Sequence, residues 1–329
     1  MISHLELQNF RGLEHVKFEN LGRVNLIVGG NNVGKTSILE ALILLYGNQT
    51  QLASLPTTFR ILPQNGQDNN AGTWRHLVGS ESIASFRLKS DGESVMGTIN
   101  GNGNWIFKFN SVSNVANRAV IELPERGSVA IQSNKLKSEM SILSTRQEDP
   151  YVISELFNQI APLNPENEEK LENLLQNSIE PRLKRLRYAK LKGNNTHLVY
   201  VDLGVGKMLP FTQMGQAFAR TLQVYCEIFA QRPIMLLIDE IENGLYYEGM
   251  EDYWKGLMAV LEDQDVQLFA TTHSRECMEA AYRAAKDMPN DPLRYLRLDR
   301  RIDDPAKIVA TTFGKEEMAT AIEFNREMR

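Results

Sequence analysis

An α/β fold built on a mixed, mainly parallel sheet is predicted by three features of this 329-residue chain. The first is a glycine-rich turn, Gly29-Gly30-Asn31-Asn32-Val33-Gly34-Lys35-Thr36, set where the apolar run 23–28 gives way to helical spacing. The second is an apolar run, Met235-Leu236-Leu237-Ile238, that ends on two acids, Asp239-Glu240. The third is the alternation of strand-like and helix-like segments through the last third of the chain. That alternation implies parallel strands joined by crossover helices, with both sheet faces covered. In such sheets the functional site lies beyond the carboxyl ends of the strands.

Taken in order, 2–10 and 14–19 read as strands around a turn at Arg11-Gly12, and 23–28 as a third strand. Ile38, Leu39, Leu42 and Leu45 recur at helical spacing and Gly47 is a stop, so 35–46 is a helix. The stretch 52–79, rich in Asn, Gln, Pro, Gly and Thr, reads as a long loop carrying Trp74. Segments 82–90, 93–100 and 104–110 alternate as strands, and Gly101-Asn102-Gly103 turns the last two. Trp105, Phe107 and Phe109 share one face, expected to pack inward as an antiparallel β subdomain. A small helical insertion follows, with helices at 150–160 and 166–180 and strands at 183–191 and 197–203. Phe218, Leu222, Tyr225 and Phe229 then mark a helix over 213–231. The remainder reads as strand 234–239, helix 248–262, strand 266–271, helix 275–287, strands 293–298 and 307–312, and a helix from 315. This divides the chain into an N-terminal lobe (1–110), the insertion (111–205) and a C-terminal lobe (206–329).

Hydrophobic residues at 42% and charged residues at 23% fit an ordinary soluble domain and exclude disorder. Apolar runs such as 41–45 and 234–238 fall far short of a membrane span. The chain does not open on a basic segment followed by an apolar core, so a cytoplasmic setting is expected. Cys226 and Cys277 belong to no CxxC pair, which argues against zinc or a disulfide framework. The formal net charge of -5 disfavours indiscriminate binding to nucleic acid. Locally, Arg182, Lys184, Arg185, Arg187, Lys190 and Lys192 place six cations within eleven residues without an acid. They read either as a phosphate-backbone contact with DNA or as a solvated face.

The glycine-rich turn is a complete Walker A loop. Its glycines let backbone N–H groups converge on phosphate oxygens at the positive end of a helix. Lys35 supplies charge to the β- and γ-phosphates of ATP, and the Thr36 hydroxyl coordinates Mg²⁺. Gly29, Asn31, Asn32, Val33, Gly34 and Ser37 complete the phosphate-binding set. Asp239 is the second metal-side residue, and Glu240 orients or deprotonates the water that attacks the γ-phosphate. A strand ending in two solvated carboxylates is the plainer reading of that pair. A further apolar strand, 266–270, delivers Thr271-Thr272-His273-Ser274 to the same sheet edge, within reach of the γ-phosphate for His273.

Together these parts resemble the ABC-type ATPases of the SMC, RecF and OLD group, and the resemblance implies an ABC-type P-loop ATPase head. Leu5-Glu6-Leu7-Gln8-Asn9-Phe10-Arg11-Gly12-Leu13 is similar to that group's first strand and turn. Ile238-Asp239-Glu240 with Glu242-Asn243-Gly244-Leu245 resembles its Walker B and D-loop, and Thr271–Ser274 its switch-histidine segment. Pro210-Phe211-Thr212-Gln213-Met214-Gly215-Gln216-Ala217 resembles an OLD-type ABC signature, degenerate in having Thr212-Gln213 where serines are common.

The resemblance implies that two heads sandwich two ATP molecules, the Gly215 segment of one completing the Lys35 site of the other. The expected state is therefore a homo-oligomer, at least a dimer. Arg11 is expected beside the nucleotide, a surface arginine in a turn being the alternative. The group's Q-loop glutamine is expected within 50–80, with Gln64 and Gln67 both candidates. The OLD-type Toprim nuclease domain is not expected, since few residues follow His273 and 324–329 resembles the close of the ATPase domain. By analogy the chain is a stand-alone subunit controlling a separately encoded effector, a nuclease or toxin, in anti-phage defence. A RecF-like DNA-repair clamp and a weakly hydrolysing nucleotide-gated scaffold are the alternatives.

Overall fold

All six residues of the strand Val24–Gly29 (β3) are buried, as a strand needs to be when it has neighbours on both sides and packing on both faces. The computed structural model describes residues 1–59, 85–99, 105–111, 120–123, 130–132, 140–145, 149–190 and 196–323. Before β3 run β1 (His4–Phe10) and β2 (Leu13–Glu19); after it come helices α1 (Lys35–Tyr46) and α2 (Gln49–Thr58). Next are β4 (Ser85–Ser90), β5 (Glu93–Ile99), β6 (Trp105–Ser111), β7 (Val120–Leu123), β8 (Ala130–Gln132) and β9 (Met140–Leu143). Helices α3 (Pro150–Leu163) and α4 (Pro165–Ser178) lead to β10 (Arg185–Lys190), β11 (His197–Asp202) and β12 (Leu209–Pro210). The chain continues as α5 (Gln216–Cys226), β13 (Met235–Ile238), α6 (Met250–Asp263), β14 (Gln267–Thr271) and α7 (Arg275–Ala285). It ends as β15 (Leu293–Arg300), β16 (Ile308–Phe313) and α8 (Lys315–Glu323).

The central sheet has six strands in the order β16-β15-β3-β14-β13-β9. Only the edge strand β16 is antiparallel to its neighbour; the other pairings are parallel. Alternate residues of these strands feed two separate cores. Leu26, Leu236, Ile238 and Leu268 point to a core shared with α5, α6 and α7. Ile27, Leu237, Phe269 and Leu296 point to a second core with α1 and the antiparallel sheet. Ten of the twelve residues of α1 are buried, because this helix lies between two sheets.

The second sheet has seven strands, β2-β1-β4-β5-β6-β7-β8. Phe107 is fully buried with its ring 5.1 Å from that of Phe86, and Trp105 lies 6.2 Å from Phe107, so the aromatic face does pack inward. Gly97 makes room for Phe86, whose ring would lie 2.0 Å from a Cβ at that position. A third sheet, β10-β11-β12, is small and antiparallel.

Three features depart from the sequence-based expectation. The start of the expected loop at 52–79 belongs to α2, which Asn48 and Gln51 cap reciprocally: Gln51 N donates to Asn48 Oδ1 at 2.9 Å and Asn48 N to Gln51 Oε1 at 3.1 Å. The helix expected over 213–231 starts only at Gln216, after a 3₁₀ turn, and widens to a π-helix at Glu227–Gln231. Strands β7, β8 and β9 were not legible at all. β9 joins the parallel sheet beside β13, and its Ser141 Oγ donates to Glu227 Oε2 at 2.8 Å where α5 widens. Trp74, Gln64, Gln67, the Gly101-Asn102-Gly103 turn, Lys192 and 324–329 lie outside the described residues.

Among the described residues no helix is long and apolar enough to cross a membrane. Cys226 and Cys277 are buried free thiols, and burial pushes the Cys226 thiol up from its ordinary range.

Candidate nucleotide site

The carboxyl ends of β3, β13 and β14 meet at one edge of the central sheet. Gly29 ends β3 at φ 137°, where a Cβ would lie 2.3 Å from the Leu298 carbonyl oxygen on β15. Gly34, at φ 97°, caps α1. Neither position accepts a side chain without strain. Asn32 adopts φ 58°, a left-handed conformation that asparagine tolerates, and its carbonyl accepts a hydrogen bond from Arg300 Nη2 at 3.0 Å. Asn31 and Asn32 are exposed at the tip, whereas Val33 and Ser37 are buried and anchor the turn.

Lys35 opens α1, and no acid occupies the first turn of that helix, whose positive end is therefore left for an anion. Lys35 Nζ donates to the carbonyls of Gly29 at 2.8 Å and Gly30 at 2.7 Å. Burial lowers its pKa from 10.5 to about 8, against the opposing pull of Asp239, Glu242 and Glu240. The ammonium is thus largely desolvated and held by two neutral groups.

Asp239 is buried at the end of β13, where its backbone N donates to the Leu143 carbonyl of β9 at 2.9 Å. Thr271 Oγ1, from the end of β14, donates to Asp239 Oδ1 at 2.6 Å, and Thr36 Oγ1 lies 3.4 Å from the same oxygen. Burial raises the Asp239 pKa, and the two hydroxyls oppose the rise. The Thr271 hydroxyl also accepts from Glu240 N at 2.8 Å, so it ties both acids to β14. Glu240 takes φ 50° as the chain leaves the strand, and its Oε2 accepts from Asn243 Nδ2 at 2.9 Å. His273 is exposed, and its backbone N donates to Glu242 Oε1 at 2.8 Å.

Lys35, Thr36, Asp239, Glu240 and His273 are therefore gathered at one sheet edge. Arg11 is not a surface residue: its Nε lies 3.2 Å from Glu40 Oε2, with side chains 9% and 1% exposed. Glu40 stands one helical turn beyond Thr36 on the same face of α1. Gly215 stands apart. It caps α5 at φ 87°, a Cβ there would meet nothing within 4 Å, and among the described residues no hydrogen bond joins it to Lys35, Thr36 or Asp239. Sequence reasoning missed the roles of Thr271, Asn243 and Glu40. Thr271 was detectable as a hydroxyl ending the strand after the acid-terminated one; the other two depend on contacts only the fold creates.

Among the described residues no group of three or more His, Cys, Asp and Glu is placed to hold a metal ion by itself. One carboxylate and one hydroxyl, Asp239 and Thr36, suit Mg²⁺, which keeps several waters and takes phosphate oxygens as ligands.

The basic run at 182–190 acquires acids on folding. Arg182 donates to Glu180 through Nε at 2.9 Å and Nη2 at 3.0 Å, Arg185 stands opposite Asp202, and Glu172 accepts from Leu186 N at 2.6 Å, close to Arg185 and Arg187.

A parallel sheet with a phosphate loop, an acid-terminated strand one strand removed from it and a D-loop defines an ABC-type P-loop ATPase of the SMC and RecF kind. Within that class the chain belongs to the family described as "AAA domain, putative AbiEii toxin, Type IV TA system", which matches residues 24–279. It is similar to an ATP/GTP phosphatase of Helicobacter pylori, 21% identical over 85% of this chain and 87% of that protein. A shorter match, 54% identical over 28% of this chain, is to an uncharacterized protein of Methanocaldococcus jannaschii, of which it covers 38%. The DNA replication and repair protein RecF of Nitrosococcus oceani is 48% identical over 13% of this chain and 12% of its own length. In fold, the chain matches an SMC head bound to the C-winged helix domain of ScpA, with a TM-score of 0.54 and 12% identity over 97% of this chain and 99% of that one. A second SMC head, with an extended coiled coil and bound to the C-terminal domain of ScpA from Pyrococcus furiosus, gives 0.51 at 12% identity over 99% of each chain.

Proposed function

We propose that this protein binds and hydrolyses ATP in a site shared between two copies of itself, and that the resulting change of assembly controls a separately encoded effector, a nuclease or toxin, in anti-phage defence. The observation that carries the hydrolytic part is the hydroxyl–carboxylate cluster of Thr36, Asp239 and Thr271 facing the Lys35 loop. In this reading Lys35 and the loop residues 29–37 bind the phosphates, and Thr36 and Asp239 hold the metal. Bound there, Mg²⁺ would neutralise phosphate charge. Glu240 orients the attacking water and accepts its proton, and His273 senses the γ-phosphate. Arg11, held by Glu40, is kept ready beside the nucleotide.

The shared site draws support from Gly215, which opens α5 with unobstructed space around it, and from Gly244 of the D-loop, which packs against Gln216 at the same helix start. The lobes 1–110 and 206–329 carry the two halves of the nucleotide site, and 111–205 supplies the insertion along with β9. The family description, with its toxin and toxin–antitoxin terms, supports an effector and a defence setting. A DNA clamp has less support, because Glu180, Asp202 and Glu172 gather around the basic run.

Glu240→Gln tests the assignment. It is expected to reduce phosphate release by about 10²-fold or more while ATP binding persists and an ATP-dependent dimer accumulates in sedimentation. Unchanged phosphate release removes Glu240 from the mechanism, and a monomer at saturating ATP removes the shared site.

A further inference from the structure

Glu242 leaves the end of β13 in a tight turn and reaches across to the end of β14, a contact that none of the roles assigned so far uses. The turn is closed by its own backbone: Asn243 N donates to the Glu240 carbonyl at 3.0 Å and Leu245 N to the Glu242 carbonyl at 2.9 Å. Its root is pinned to β14, where Ile241 N donates to the Thr271 carbonyl at 3.0 Å. Its far end, Gly244 at φ 81°, sits so close to α5 that a Cβ there would lie 3.2 Å from Gln216 Cβ. A shift of that end swings the Glu242 side chain about the pinned root.

What Glu242 holds is the backbone of His273. Along the exit of β14, Thr272 N donates to the Ile27 carbonyl of β3 at 3.1 Å, and Ser274 N to Thr272 Oγ1 at 3.1 Å. Among the described residues the acceptor for the amide between them is Glu242 Oε1, at 2.8 Å. The flanking residues are thus fixed to the strands, whereas His273 is fixed to the turn. Glu242 Oε2 is buried and accepts no hydrogen bond among the described residues. An acceptor left in that state costs stability, so stability does not account for a carboxylate here.

We propose that Glu242 is a positioning residue that couples the D-loop to His273: displacement of the Gly244 end of the turn by a second copy of the chain sets the place of the histidine at the γ-phosphate. The coupling rests on the roles proposed above for His273 and for the shared site; the tie between Glu242 and His273 does not. The Glu242 charge also supports the protonation of Lys35, so its removal is felt at the phosphate loop. Alanine and glutamine lack that charge alike, but a carboxamide oxygen still accepts from His273 N. The difference between the two variants therefore isolates the hydrogen bond.

Residue-resolved hydrogen exchange of the nucleotide-free protein tests the tie. Glu242→Ala should quicken exchange at the His273 amide about tenfold or more and leave Thr272 unaltered, while Glu242→Gln should keep His273 within about threefold of wild type. Steady-state phosphate release tests the coupling. Relative to Glu242→Gln, Glu242→Ala should lower kcat about tenfold with KM for ATP within about twofold, and in a His273→Ala background the two should be equal. His273 exchange that is alike in the alanine and glutamine variants overturns the proposal. So does a loss of kcat that is the same with and without His273, because Glu242 then acts on its own account. If His273→Ala alone keeps the wild-type kcat, or wild type releases no phosphate, the sensor reading falls and the coupling with it, whereas faster exchange in Glu242→Ala still upholds the tie.

Discussion

Replacing Lys35 with methionine separates what it costs to hold this lysine from what it does for a ligand. Burial lowers its pKa from 10.5 in an unfolded chain to about 8 in the folded one. Between those limits the unfolded chain binds the proton and the folded one does not, so stability rises with pH. The contribution is complete above 10.5 and is lost as pH falls through about 8. At about 1.4 kcal/mol per tenfold change in proton affinity, the upper bound is about 3.5 kcal/mol, and solvent reaching the mouth of the loop reduces it to roughly 1.5 kcal/mol. Methionine carries no charge and leaves the Gly29 and Gly30 carbonyls without their donor, an offset that does not vary with pH. The stability of wild type minus that of Lys35→Met should therefore climb by roughly 1.5 kcal/mol from pH 8 to 10.5, other titrations cancelling in the difference. Denaturant melts of both proteins without nucleotide at several pH values measure it. A non-hydrolysable ATP analogue should flatten the climb, because phosphate charge restores the lysine's proton affinity. A difference that is flat without nucleotide would refute the claim that the ammonium is held at a desolvation cost.

Gly29→Ala sets a Cβ 2.3 Å from the Leu298 carbonyl at a φ of 137°, so about 3 kcal/mol or more of stability should be lost in thermal melts; an unshifted melt would mean that β15 yields freely there. Thr271→Val keeps the shape but removes the bonds to Asp239 Oδ1 and from Glu240 N, and a loss of about 2–3 kcal/mol is expected together with roughly tenfold weaker Mg²⁺-dependent ATP binding, read by calorimetry. Gln267→Leu removes the side chain that bonds Ile2 N, Ile2 O and Gly22 O at 2.7–2.9 Å, and hydrogen exchange should quicken at the start of β1 while stability falls by about 2 kcal/mol. Unchanged exchange there would show that the first strand is held by its sheet pairing alone.

The parallel sheet and its acid edge were legible because buried strands carry a short, uninterrupted apolar signal and the chemistry sits at their ends. Met235-Leu236-Leu237-Ile238 has no alternation to misread, and Asp239 follows it directly. β9 has only four residues, Met140-Ser141-Ile142-Leu143, too few for any period to emerge, and it becomes a strand through its pairing with β13. Helix α2 was missed because Thr and Pro weigh against a helix by composition, although the Asn48 and Gln51 capping pair was present as a local signal. Arg11 was identified as a residue to watch, but its partner Glu40 lies on a helix whose depth between two sheets no periodicity discloses. Thr271 and Asn243 act through contacts between strand ends and turns, and those contacts exist only once the parallel register is set.

β9 has one more consequence. Its Leu143 carbonyl fixes the backbone of Asp239, and its Ser141 hydroxyl fixes Glu227 where α5 changes pitch. Four residues therefore work as a tie rod between the acid edge and the far end of the helix that begins at Gly215. A change in the length or direction of this rod would alter no motif residue. In the proposed shared site, this stretch, which motif comparison passes over, would set how the acid edge and the Gly215 helix move together.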